Sequence, residues 1–140
     1  MNDASKRIWI TWETQIRNRS MSKIIGADLF ELSTNNSRII KYFKLIPSTL
    51  RILAREKPRQ VFAQNPSIVL SSLIVFFKNY FKYISIIDEH NAGLFPMEGK
   101  NFFLQRLAKY IVRKSDWVIV SNNALAQLCK TWGGRPLVMP

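Results

Sequence analysis

Short β-prone runs and helix-length segments take turns along the whole chain, and this alternation limits the possible folds more than any other feature. Ile8-Trp9-Ile10-Thr11-Trp12 is uncharged and bulky and reads as a first strand. Arg19 to Ile25 reads as a short helix stopped by Gly26, and Asp28 to Leu32 as a more exposed strand. Ser37 is placed to cap a long amphipathic helix over Arg38 to Lys57. Its Ile39, Tyr42, Phe43, Ile46, Leu50 and Leu53 recur at spacings of three and four and predict the buried face, while Pro47 predicts a kink or split near the middle. Gln60 to Gln64 is a third strand, and the apolar segment after Ser67 is a helix to about Tyr80. Tyr83 to Asp88 is a fourth strand. Asn101 to Lys114 follows as a helix with Phe103, Leu107 and Ile111 inward. Trp117 to Ser121 is a fifth strand, Asn122 caps a helix to about Thr131, and Pro136 begins a sixth strand. The pattern predicts α/β architecture: a Rossmann-like parallel sheet of about six strands with helices on both faces, spanning 1–140 as one domain.

Apolar residues make up 47% of the 140, enough for one packed core. The longest apolar run, Ile68 to Phe77, falls short of the ~20 residues a spanning helix needs. Extending it to Ile87 would place Lys78 and Lys82 in mid-membrane, so it reads as a core helix. The N-terminus shows no signal-peptide core of the usual length. Cys129 is the lone cysteine, which excludes an intramolecular disulfide and fits a reducing compartment.

Lys and Arg number 21 against 9 Asp and Glu, a net charge of +12 that favours an anionic partner. Arg38, Lys41, Lys44, Arg51 and Arg55 fall opposite the apolar stripe of the long helix. Such a face can be simply solvated, can lie on an anionic membrane, or can meet nucleic acid. The chain holds no RNP motif, GXXG loop or zinc-finger spacing. Tyr42 and Phe43 share the face predicted to be buried, which favours membrane proximity over nucleic acid.

Candidate site residues cluster after the predicted strands, at the edge where open α/β sheets bind ligands. Asp88-Glu89-His90-Asn91 follows the fourth strand, and His90 is the only histidine. A histidine beside carboxylates suits a general base or a hydrogen-bonding switch, whereas the bland alternative is an Asx-rich turn. One histidine with no nearby cysteine falls short of a metal-ligand set, so no metal is expected. The first strand leads into Trp12-Glu13-Thr14-Gln15-Ile16-Arg17-Asn18, a turn without glycine. That argues against a dinucleotide cradle, and no P-loop motif occurs elsewhere. A ligand there would meet the side chains of Trp12, Glu13, Arg17 and Asn18, unless the turn is ordinary polar surface. Gln64 and Asn65 end the third strand, and their amides suit hydroxyl-rich ligands as well as they suit turn chemistry before Pro66.

Four stretches now stand in order: Trp12 to Ser20, Gln64-Asn65-Pro66, Asp88 to Gly93, and Ser115-Asp116-Trp117-Val118-Ile119-Val120-Ser121-Asn122. Together they resemble the N-terminal domain of GT-B-fold glycosyltransferases of bacterial surface-polysaccharide synthesis. The resemblance implies one half of a two-domain enzyme, holding a saccharide acceptor, often lipid-linked, while the other half binds the nucleotide-sugar donor. It implies that His90 is the catalytic cleft histidine and that Trp12 to Asn18 lie near donor phosphates and acceptor. Gln64 and Asn65 would line the acceptor side, with Asp88 and Asn91 beside them. The family's first loop is often glycine-rich and this one is not. The chain ends about where the family passes to its donor domain, so that half is expected from a partner domain or subunit, and no cofactor is expected on this domain. The implied location is cytoplasmic, peripheral at the inner face of the plasma membrane. The alternative is a non-catalytic basic module for nucleic acid or an anionic surface.

Overall fold

A computed structural model describes residues 6–65, 67–89 and 91–140. Six strands are joined by helices: β1 (Arg7–Thr11), α1 (Ile16–Ile25), β2 (Asp28–Glu31), α2 (Arg38–Glu56), β3 (Gln60–Asn65), α3 (Ile68–Phe81) and β4 (Ile84–Glu89). A short α4 (Asn91–Leu94) and a 3-10 turn (Pro96–Gly99) precede α5 (Phe102–Lys114), β5 (Trp117–Val120), α6 (Asn123–Thr131) and β6 (Pro136–Val138). Every pairing is parallel, and the strand order is β2-β1-β3-β4-β5-β6. This is the Rossmann-like α/β fold that the alternation predicts.

The order explains how the helices are shared between the faces. From β1 the chain steps one way, to β2, and every later crossover carries it the other way. Right-handed crossovers then put the first helix on one face and the later ones on the opposite face. The core agrees. Met21 and Ile25 of α1 pack with Trp9, Phe62, Ile86 and Ile119, with the rings of Trp9 and Phe62 stacked 5.5 Å apart. On the other face Ile8, Ile10, Val61, Ala63 and Ile87 lie under α2, α3 and α5. That layer continues over Val118 and Val120 beneath Val112, Leu125, Ala126 and Cys129. Helices therefore cover both faces, but unequally.

Several local expectations hold and others shift. Ser67, Asn101 and Asn122 accept hydrogen bonds from the amides of Leu70 (3.3 Å), Leu104 (3.0 Å) and Leu125 (2.9 Å), so each caps its helix. Ser37 occupies the cap position of α2 without a side-chain cap bond. Helix α1 begins at Ile16, before the expected start at Arg19, and Gly26 closes it in the left-handed conformation. Pro47 does not split α2, which runs unbroken from Arg38 to Glu56.

The buried face of α2 is Leu45, Thr49, Ile52 and Leu53, whereas Ile39 and Phe43 are exposed. An apolar stripe wider than the sheet can cover leaves some of its members outside, and spacing cannot say which ones. The same correction applies to α5, where Ala108, Ile111 and Val112 are buried but Phe103 is exposed.

At the amino edge of the sheet, Asp116 binds β4 to β5. Its carboxylate accepts from the Ser85 amide (2.8 Å) and hydroxyl (3.1 Å), and pairs with Lys78 (3.3 Å). The Ser115-Asp116 part of the last sequence motif therefore has a structural use, at the end of the sheet away from the predicted site.

Candidate functional site

The reversal of direction in strand order falls between β1 and β3, and in open parallel sheets ligands bind at the carboxyl edge beside such a point. Two strands end there in matched polar pairs, with Gln64 opposite Asp88 and Asn65 opposite Glu89. Because side chains alternate along a strand, the first pair points to the α1 face and the second to the face of α2, α3 and α5.

On the α1 face the groups form one hydrogen-bonded row. Gln15 donates to Glu13 Oε2 at 2.9 Å, and Gln64 donates to Gln15 Oε1 at 2.9 Å. Beside them Arg17 grips Asp88 with two parallel bonds, Nε to Oδ2 at 3.1 Å and an Nη to Oδ1 at 3.2 Å. Two-point pairing fixes both the charge and the plane of the guanidinium. Asp88 is almost fully buried, while the Arg17 side chain stays 26% exposed, so the pair presents its cationic side outward.

On the opposite face Glu89 is fully buried. Asn65 Nδ2 donates to its Oε1 at 2.7 Å, and Oε2 has no hydrogen-bond partner among the described residues. Gly93 packs hard against this carboxyl: a Cβ there would lie 2.2 Å from Glu89 Oε2 and 2.4 Å from the Asn65 carbonyl oxygen. Burial pushes the Glu89 carboxyl up to about 8, with the charge of Asp88 adding to the rise against the Asn65 bond. At neutral pH it is therefore mostly the uncharged acid. Burial also pushes the nearby Cys129 thiol up to about 12, which leaves it inert.

The structure separates the sequence candidates. Glu13, Arg17, Gln64 and Asp88 meet on the α1 face of the carboxyl edge, and Asn65 lies at the same edge on the opposite face. Trp12 does not face a ligand. It is buried, lies tilted against the Tyr42 ring at 6.1 Å and donates through Nε1 to Thr49 Oγ1 at 3.0 Å. Asn18 is equally internal, accepting from Trp9 Nε1 (3.2 Å) and donating to Thr11 Oγ1 (3.1 Å). Both belong to the core because α1 starts at Ile16, which turns Asn18 back against β1. His90 and the side chain of Asn91 lie outside the described residues.

Arg38, Lys44, Arg51 and Arg55 are exposed on α2 and Lys41 is partly so, with Arg55 engaged to Glu56 at 2.8 Å. Gln15 completes the row although sequence reasoning did not select it, and Glu89, read there only as part of a polar cluster, turns to the opposite face from Asp88. The signal was strand parity, since residues two apart on β3 and β4 must share a face.

Among the described residues no group of three or more His, Cys, Asp or Glu is placed to hold a metal ion. Among them, too, no helix is long and apolar enough to cross a membrane. Compared with known protein families and with curated proteins, the chain matches none.

Proposed function

We propose that the carboxyl edge beside β1, β3 and β4 is the acceptor-binding wall of a glycosyltransferase that moves a sugar from a nucleotide-sugar to a saccharide acceptor, lipid-linked in the family the sequence resembles. The observation that carries the reading is the joined row Glu13–Gln15–Gln64 beside the Arg17–Asp88 pair at the switch point of the sheet. Amides that donate and accept, held in fixed orientations beside carboxylates that accept, match a ligand made of hydroxyl groups. The turn after β1 has no glycine, so its backbone offers no close cradle for a diphosphate. The donor nucleotide therefore belongs to a second domain or subunit facing this wall. His90 follows the Asp88-Glu89 pair directly in sequence and is the group assigned to the chemistry by the resemblance. The excess of basic residues supports work at an anionic surface, which in this reading is the cytoplasmic face of the membrane.

The test has two parts. Titration of soluble glycoside acceptors into the protein, followed by amide NMR, should shift signals of Glu13, Gln15, Arg17 and Gln64 together. Gln15→Ala should weaken that binding by about tenfold, as loss of one well-placed hydrogen bond does. In an assembly competent for transfer, His90→Ala should lower kcat/KM by ~100-fold or more. Acceptor shifts confined to other surfaces, or unchanged kcat/KM after His90→Ala, would count against the assignment. Tight sequence-dependent nucleic-acid binding would favour the alternative of a basic binding module.

A further inference from the structure

We propose that the outer face of α3 and α5 is the surface by which this protein docks on a bilayer containing anionic phospholipid. The inference rests on the reading that the protein works at an anionic membrane, and moves the contact from the basic face of α2 to a different pair of helices.

Four large aromatic side chains stand in water on this face. Phe76 and Tyr80 of α3 are 70% and 77% exposed, and Phe102 and Phe103 of α5 are each 75% exposed. Aromatic residues can bury ~150–250 Å² each, so this patch exceeds what a surface leaves open without use. Two stripes run along α5 at helical spacing. Phe103, Leu107 and Tyr110 form the apolar one, and Phe102, Arg106, Lys109 and Arg113 the cationic one.

Three open grooves follow these stripes and share Tyr110. The first, about 420 Å³, lies between α3 and α5 against Val69, Leu73, Phe76 and Leu107. The second, about 460 Å³, passes Phe102 and Phe103. The third, about 490 Å³, is framed by Arg106, Lys109, Arg113 and Trp132. The Arg106 guanidinium lies 5.6 Å from the Phe102 ring centroid and the Lys109 ammonium 5.5 Å from that of Trp132, so the cations border the apolar hollows.

Charge selects the partner. The sequence has no acidic residue between Glu56 and Asp88, nor between Glu98 and Asp116, so neither α3 nor α5 carries one. Two copies meeting through this face would oppose like charges, which disfavours a homodimer. The α3–α5 groove is lined almost wholly by apolar groups and offers little to pair with a base or a phosphodiester chain. Aromatic and aliphatic groups beside a cationic stripe match the acyl–headgroup boundary of an anionic leaflet instead. In the docked state Phe76, Phe102 and Phe103 enter the boundary, and Arg106, Lys109 and Arg113 meet lipid phosphates.

Co-sedimentation with phosphatidylglycerol-containing phosphatidylcholine vesicles and with pure phosphatidylcholine vesicles tests this on the whole chain. Partition is expected to be strong on the first and weak on the second. Arg106→Ala with Arg113→Ala should reduce it ~25-fold, at about fivefold per cation. Phe76→Ser, Phe102→Ser and Phe103→Ser should reduce it at least as much. These side chains are exposed, so circular dichroism should show the fold retained. The triple change Arg38→Ala, Lys41→Ala and Lys44→Ala should have the smaller effect. Loss of binding in the α2 variant alone overturns this surface and leaves the membrane reading standing, whereas a wild-type protein that ignores both vesicle types overturns both. A dimer in sedimentation velocity that Phe103→Ser dissolves also overturns the proposal.

Discussion

Asp88 and Glu89 are consecutive carboxyl groups at the end of one strand, and they meet opposite conditions. Asp88 turns to the thinly covered α1 face, where Arg17 holds it with two bonds. Glu89 turns to the heavily covered face, where one amide bond from Asn65 meets it and one oxygen goes without a partner among the described residues. The difference follows from topology, because only α1 packs on the first face and the other described helices pack on the second. A carboxylate is kept in the first place by a cation at the rim. In the second, where desolvation outweighs the single amide bond, the proton itself is kept. One edge therefore presents a fixed ion pair on one side and a neutral acid on the other.

The largest expected effect comes from breaking the ion pair. Arg17→Ala strips the two guanidinium bonds from the buried Asp88 carboxylate and should destabilise the protein by about 3 kcal/mol, read as a shift in the urea midpoint. Arg17→Ala with Asp88→Asn should recover part of that loss, and a double variant no better than the single would show that the pair is not the cause. Next comes the packing on the other side. Gly93→Ala forces a Cβ into Glu89 Oε2 and the Asn65 carbonyl and should cost about 2 kcal/mol, measured by thermal denaturation. Unchanged stability would mean that α4 does not press on Glu89.

The neutral acid sets a dependence on pH with a definite sign. Its folded pKa of about 8 lies above its ordinary value of 4.5. Between those values the folded state holds a proton that the unfolded state has released, so stability falls as pH rises through this window and levels off above about 8. Glu89→Gln should remove that slope from denaturation curves, and a variant with the wild-type slope would refute the assignment. The smallest expected effect is at the middle of the row. Gln15→Ala should change stability by only about 1 kcal/mol, because water replaces the lost partners of Glu13 and Gln64. A larger loss would mean that the row supports the fold as well as any ligand.

Much of the architecture was legible because the relevant signals are local. Apolar runs of strand length, the cap at Asn122 and the stop at Gly26 each act over a few residues, and each appears where the sequence puts it. The gathering of Gln64, Asn65 and Asp88 followed from parallel connectivity alone. Helix orientation was not legible. Ile39, Phe43 and Phe103 fit apolar stripes yet lie outside, since sequence spacing does not say how wide a strip of sheet each helix covers. Trp12 and Asn18 were misplaced for a related reason: their partners Thr49, Trp9 and Thr11 become visible only once α1 and α2 have docked. The charge difference between Asp88 and Glu89 was hidden too, because adjacent identical chemistry gives no hint until strand parity is combined with the unequal covering of the faces.

The contrast at this edge is open to direct measurement by a carboxyl ¹³C NMR titration of the protein labelled at Asp and Glu, with Glu89→Gln used to assign the resonance. The Glu89 carboxyl should titrate near pH 8, and the upward displacement should shrink when Asp88→Asn removes the neighbouring charge. A Glu89 resonance already ionised at pH 6 and indifferent to Asp88→Asn would contradict the picture of an ion pair and a neutral acid on opposite sides of one strand end.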